Sequence, residues 1–221
     1  MATRNVPGSD AARHGTGDAD LTIMLAAHAA FRRDLTRLAR ATASPYHPDP
    51  TRQAAIQAGW ETFKRQLHLH HTAEDEVIWP TLRPRLAHSE HAQSVLDAME
   101  DEHKLIDPLL AAVDAAFAEP DGSSLGDATD ALTTELAAHL SHEEHDGLPL
   151  IGIALTAAEW RRAGFKIARH SGLSGAAEMF AWIADGASKD EAAAAIGTLP
   201  PPARLLYRAI WNPRYGRTKR W

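Results

Sequence analysis

A histidine, a glutamate four residues later and a proline six residues after that occur twice in this chain, as His70, Glu74, Pro80 and as His139, Glu143, Pro149. At 3.6 residues per turn, a histidine and a glutamate four apart stack on one helix face and aim at one point. That is metal-ligand geometry, and its repetition calls for two helices that present paired ligands to a common interior. The 221 residues include no cysteine. Disulfides, thiolate zinc sites, cysteine-held clusters and thiol catalysis are therefore excluded, and any metal must be held by nitrogen and oxygen.

Hydrophobic residues make up 44% of the chain, enough to fill a core. Residues 1–19 lack periodicity and are predicted to be a disordered lead-in. From Leu21, the series Met24, Leu25, His28, Phe31, Leu35, Leu38 recurs at helical steps and predicts a first helix to about Ser44, with His28 on its apolar face. The proline-rich ASPYHPDP breaks it. A second helix is predicted from Thr51 to Trp79, lined by Ile56, Trp60, Phe63, Leu67, His70, Glu74, Val77 and Ile78, with Pro80 closing or bending its end. The third, Ser89 to Glu119, carries Val95, Met99, His103, Ile106, Leu110 and Val113, with a kink expected at Pro108. The fourth, Leu125 to Gly147, places Leu132, Leu136, His139, His142 and Glu143 on one side. Four such helices with short connections predict an all-α fold, an antiparallel four-helix bundle over residues 20–151 whose core can assemble a metal site.

Residues 152–221 are predicted to form additional short helices. Thr156 with Glu159 and Ser188 with Glu191 have capping-box spacing. The end of the chain is basic, with Arg204, Arg208, Arg214, Arg217, Lys219 and Arg220 and no acidic residue among them. A contact with an anionic partner or membrane surface is one reading. The favoured one packs the Leu205, Leu206, Ile210 and Trp211 face over the bundle and leaves the charges in water.

The repeat is longer than the two paired motifs. A lone histidine precedes each, His28 in the first half and His103 in the second. With all six positions and both prolines in register, residues 20–150 resemble the hemerythrin-like family, the HHE cation-binding domain, in which two helix pairs enclose two non-haem irons. The resemblance implies that His28, His70, His103 and His139 are terminal nitrogen ligands and that Glu74 and Glu143 bridge the two metals. Four imidazoles, two bridging carboxylates and one bridging oxygen fill ten of twelve octahedral positions. The two left open are where dioxygen, peroxide or nitric oxide would bind. Imidazole with carboxylate suits iron, with manganese or zinc able to compete in vitro.

The oxygen carriers of that family use two histidines one turn apart on the third helix. Here Asp107 and Met99 flank His103 at those steps, so a fifth imidazole is missing there. His71, His142 or His47 could replace it, or Asp107 could add a carboxylate. Fewer nitrogen ligands favour oxidation chemistry over reversible oxygen binding. His142 is open as an outer partner or an extra ligand, whereas His71, Asp75, Glu76, Glu144, His145 and Asp146 are expected on a solvated acidic surface. His88 and His91 are read as surface residues, and His14 and His170 show no partner pattern. Phe31, Trp60 and Trp79 are read as core, with a cavity wall as the other possibility.

The reading that follows is a di-iron oxidase- or peroxidase-type protein, needing an external reductant or reducing substrate because no flavin or haem motif is present. The alternative is a non-catalytic sensor or store for oxygen, nitric oxide or iron; a helical bundle with incidental metal is the third. No phosphate loop, dinucleotide fingerprint or Ser-His-Asp order supports other enzyme classes. The net charge of −6 gives no reason to expect nucleic acid. No stretch approaches the roughly 18 apolar residues of a membrane span, and the N-terminus lacks a signal-peptide core, so a cytoplasmic location is expected.

Overall fold

The computed structural model describes residues 19–43, 49–119 and 123–221, and among these it is all-helical with no strand. Residues 1–18 of the predicted lead-in, with His14, and His47 lie outside the described residues. Helix α1 spans Thr22–Ala41 and buries Met24, Ala27, His28, Phe31, Leu35 and Leu38, the face that the periodicity marks out. Helix α2, Pro50–Ala73, starts on Asp49, whose carboxylate accepts the Arg52 backbone N–H at 2.9 Å, with Pro50 in the first turn where its missing donor costs nothing. It continues through a π-helical turn, Glu74–Ile78, into the short α3, Trp79–Leu82. Helix α4, Glu90–Ala118, is capped by Ser89 and runs through Pro108 as one continuous α-helix. Helix α5, Leu125–His142, passes through a second π turn, Glu143–Gly147, into α6, Leu148–Ala154.

Both π turns begin six residues before a proline. A proline ring collides with the carbonyl four residues back, and widening the turn moves that carbonyl aside. The residue before each proline then bonds five residues back, Trp79 to Glu74 and Leu148 to Glu143. Pro80 and Pro149 thus neither stop nor simply bend their helices: they widen them at the carboxylates.

The buried apolar side chains fall into two clusters. One contains Phe31, Leu35, Trp60, Phe63, Leu67, Ile106, Val113, Leu132, Leu136 and Leu140. The other contains Met24, Ile78, Trp79, Leu82, Val95, Leu96, Met99, Leu148 and Ile151. Trp60 and Trp79 are core, as read from the sequence. Between the clusters lie His28 on α1, His70 and Glu74 on α2, His103 on α4, and His139 and Glu143 on α5. Along α1 and α4 the chain passes from the second cluster to the first; along α2 and α5 it passes from the first to the second.

The C-terminal region begins with α7, Ala157–Ala184, two helical stretches that meet at a kink. Thr156 and Glu159 form the capping box that their spacing indicates, as do Ser188 and Glu191 ahead of α8, Lys189–Gly197. Gly172 breaks α7 with φ 65° and ψ 178°, a conformation that strains any residue with a Cβ. Past this break, Trp182 donates its indole N–H to Asp34 at 2.7 Å; the buried Asp34 carboxylate also accepts from Arg33 and Arg37. α7 is thereby tied to α1. Helix α9, Pro201–Leu206, a third π turn, Tyr207–Trp211, and α10, Asn212–Tyr215, complete the chain. That π turn also starts six residues before a proline, Pro213.

The packing expected of the basic tail is corrected here. Leu205, Leu206 and Ile210 are 68%, 42% and 51% exposed, so that face lies in solvent. Of the expected face only Trp211 packs inward, half-buried together with Tyr207 and Tyr215. The π turn rotates this set onto α7. Trp221 anchors the chain end, its backbone N–H on the Ala55 carbonyl at 3.0 Å and its ring over Gly59, where a Cβ would come within 2.5 Å of the indole. Among the described residues, no helix is long and apolar enough to cross a membrane.

Candidate metal centre

The belt between the two apolar clusters holds two groups of donor atoms. One atom from each of His28, His70, Glu74 and Glu143 lies within 4.8 Å of the others, and the same holds for His71, His103 and His139. Glu74 stands between them. Its Oε1 is 3.2 Å from His70 Nε2 and its Oε2 is 3.5 Å from His103 Nε2. Glu143 Oε2 is 3.0 Å from His28 Nε2 and 4.0 Å from His70 Nε2.

These groups are buried and short of partners. Nε2 of His71, His103 and His139 makes no hydrogen bond, and neither do the carboxylate oxygens of Glu74; those of Glu143 have only the close approach to His28. His28 and His70 bring their Nε2 atoms to 3.1 Å, and the rings of His71 and His103 stack at 3.9 Å. Buried polar atoms without partners are costly, several kcal/mol as a rough figure for an ion, so a cluster of them facing one another fits a cation.

The opposite ring nitrogens are held from outside. His28 Nδ1 faces Glu144 at 2.9 Å, His103 Nδ1 faces Asp75 at 2.9 Å, and His139 Nδ1 faces Glu102 at 2.8 Å. A carboxylate on Nδ1 keeps the proton there and turns the Nε2 lone pair inward. The first two pairings cross between the halves: the carboxylate following Glu74 holds the lone histidine of the second half, and the one following Glu143 holds that of the first. Arg32 closes the outside of Glu144 at 2.6 Å.

Burial, reinforced by neighbouring histidines, holds His70 and His71 well below the ordinary 6.5, so both are neutral with free lone pairs at pH 7. The same influences lower His139. For His28, burial opposes the charge, but Glu143 and then Glu144 override it and lift the group to about 9. Burial, then the charge on Glu143, raises Glu74 well above 4.5. Burial works in the same sense on Glu143, yet His28 holds it below its usual range.

All six residues singled out from the sequence lie in this belt, and His71 joins them. Its assignment to a solvated surface is overturned: it is 8% exposed and stacked in the second group. Asp75 and Glu144 are likewise corrected, from surface charges to partners of ring nitrogens. Glu76 and His145 do face solvent. His142 shares Glu102 with His139, at 2.7 Å, and stays in the outer ring. Asp107 is exposed, as are His88, His91 and His170. Glu102 escaped notice because its signal is one turn of register on a neighbouring helix rather than a motif.

On the side of His70 and Glu74, the belt is reached by a cavity of about 480 Å³ between α1, α2 and α7. No curated protein and no solved structure matches the chain. The model of the hemerythrin HHE cation-binding domain matches residues 19–151. With that match over more than half of its length, and with one histidine–glutamate cluster and one three-histidine cluster able to hold metal, the chain belongs to the hemerythrin HHE cation-binding domain family.

Proposed function

We propose that residues 20–151 form an antiparallel four-helix bundle around a non-haem di-iron centre, and that the protein takes up dioxygen or hydrogen peroxide there and performs oxidase- or peroxidase-type chemistry. The alternating order of the two apolar clusters along α1, α2, α4 and α5 supports the antiparallel arrangement. Glu74 carries the metal reading, because it turns one oxygen to each histidine group. His28 and His70 would hold one iron, and His71, His103 and His139 the other, with Glu74 and Glu143 bridging. Asp75, Glu102 and Glu144 fix the imidazole tautomers. When bound, the iron pair supplies redox chemistry that no side chain offers, and the electrons come from an external reductant or reducing substrate.

His71 revises the ligand count. Five imidazoles, two bridging carboxylates and one bridging oxygen fill eleven of twelve octahedral positions. On that count the ion held by His71, His103 and His139 would be complete, and the single open position would fall on the ion held by His28 and His70. One open position also suits reversible binding, which favours a sensor or carrier as the second reading. The cavity favours turnover, since it lies on the open side and far exceeds the size of a diatomic ligand.

Loading metal-free protein anaerobically with ferrous iron and then admitting air separates the readings. Two irons per chain, with a coloured species that decays to a stable oxidised form, support the redox enzyme. Colour that vanishes under vacuum and returns with air points to the carrier or sensor. A chain that retains no iron overturns both. Glu74→Ala should lose the second iron and the colour while keeping its helical content.

A further inference from the structure

We infer that the cavity beneath α7 is a binding site for a small apolar organic molecule, held against the open side of the metal centre. The inference rests on the metal reading above and names the kind of substrate that the centre meets.

The cavity's volume of about 480 Å³ is in the range of ligand sites and well above the voids of a packed core. Its floor is the bundle, with Phe31 and Leu69 among its residues, and its inner end is His70 and Glu74. Its roof is α7, which contributes Trp160, Phe165, Ile167 and Met179. The wall is predominantly apolar, and an apolar cavity of this kind takes up apolar molecules more readily than water. At the inner end the polarity changes abruptly, because the carboxylate oxygens of Glu74 have no hydrogen-bond partner. A molecule filling this space lies with its apolar body along α7 and one end at His70 and Glu74.

The roof is built differently from the floor. The roof residues lie beyond residues 19–151, which the family model matches. Before the break at Gly172, α7 is largely solvent-exposed, with Phe165 at 69%, while beyond it Phe180 to Ile183 are buried. The firmly packed end anchors the helix, and the loosely packed end covers the cavity. Gly164 lines the space, and a Cβ there meets nothing within 4 Å, so a side chain at this position has room to enter.

The test is a titration of the full chain with 1-decanol, metal-free and iron-loaded, followed by calorimetry and by the fluorescence of Trp160 and Trp182, both of which line the cavity. One decanol per chain is expected, with a change in the visible spectrum of the iron-loaded protein. Gly164→Phe and, independently, Ala168→Phe should weaken decanol binding at least tenfold while iron content and helical content stay unchanged. Absent or unsaturable binding overturns the site, and so does binding that neither variant affects. Saturable binding that leaves the iron spectrum unmoved overturns its placement beside the metal. If the chain holds no iron, the metal reading falls separately, and the metal-free titration decides whether the cavity binds.

Discussion

At the scale of single residues, the centre is specified by which side of a helix each neighbour of the motif takes. His70 turns toward His28 on α1 and the adjacent His71 toward His103 on α4, so two consecutive residues straddle one interior. The sequence holds a signal for this. In the second half the position matching His71 is Leu140, a buried member of an apolar stripe, so that register faces inward in both halves. The inward placement of His70 with Glu74 and of His139 with Glu143 was legible because a four-residue step is intrahelical geometry, and that of His28 and His103 because each falls on an apolar stripe. Asp75, Glu102 and Glu144 were not, because their partners sit on other helices and depend on packing. His71→Leu should leave the first iron in place and weaken the second by more than the roughly 10- to 100-fold typical of losing an outer hydrogen bond. Asp107→Asn, at an exposed position, should change neither. Equal iron content and affinity in His71→Leu and the parent protein would remove His71 from the centre.

The element scale shows what proline contributes. The helices, their periods and the capping boxes at Thr156 and Ser188 follow from local rules, which is why they could be read in advance. The π turns could not, since a proline in a helix can stop, kink or widen it, and tertiary packing decides which. Pro108 shows the contrast, with no π turn ahead of it. At Pro80 the widened turn starts on Glu74 and ends where Ile78 and Trp79 enter the second apolar cluster. Pro80→Ala permits an ordinary helical turn, which would rotate Glu74 against that packing by about 100°. We expect iron affinity to fall about tenfold or more, roughly 1.4 kcal/mol, with far-ultraviolet circular dichroism nearly unchanged. Affinity equal to the parent's would mean that the π turn is held by packing alone. α7 makes the complementary point: its start was legible as a capping box, and its kink falls at Gly172, in a stretch where Ser171, Ser174 and Gly175 also weaken the helix.

Across the whole molecule, the apolar clusters were legible as helical stripes. The inward set of the basic tail was not, because the π turn before Pro213 changes the period from which faces are read. In the metal-free protein the belt is a store of unpaired polar groups, and metal binding should stabilise the fold. Metal at a hundredfold excess over Kd contributes about 2.7 kcal/mol for one site, or a rise in Tm of about 5 to 10 °C for a chain of this size. Metal must displace the protons on Glu74, held well above 4.5, and on His28, held at about 9. The gap in Tm between loaded and metal-free protein should therefore widen as pH rises from 4.5 toward 9, as differential scanning calorimetry would show. A gap that narrows over that interval would contradict these protonation states.

The two apolar clusters on either side of the belt also insulate it electrically. On the redox reading proposed above, an electron delivered there would change the net charge in a medium of low dielectric, where an uncompensated charge costs several kcal/mol by rough estimate. Each reducing equivalent must then be accompanied by a proton or matched by the departure of an anion. The polar side chains among the residues that line the opening beneath α7, Asp20, Gln66 and Arg161, mark the side from which that accompanying charge can reach His70 and Glu74 without crossing either core.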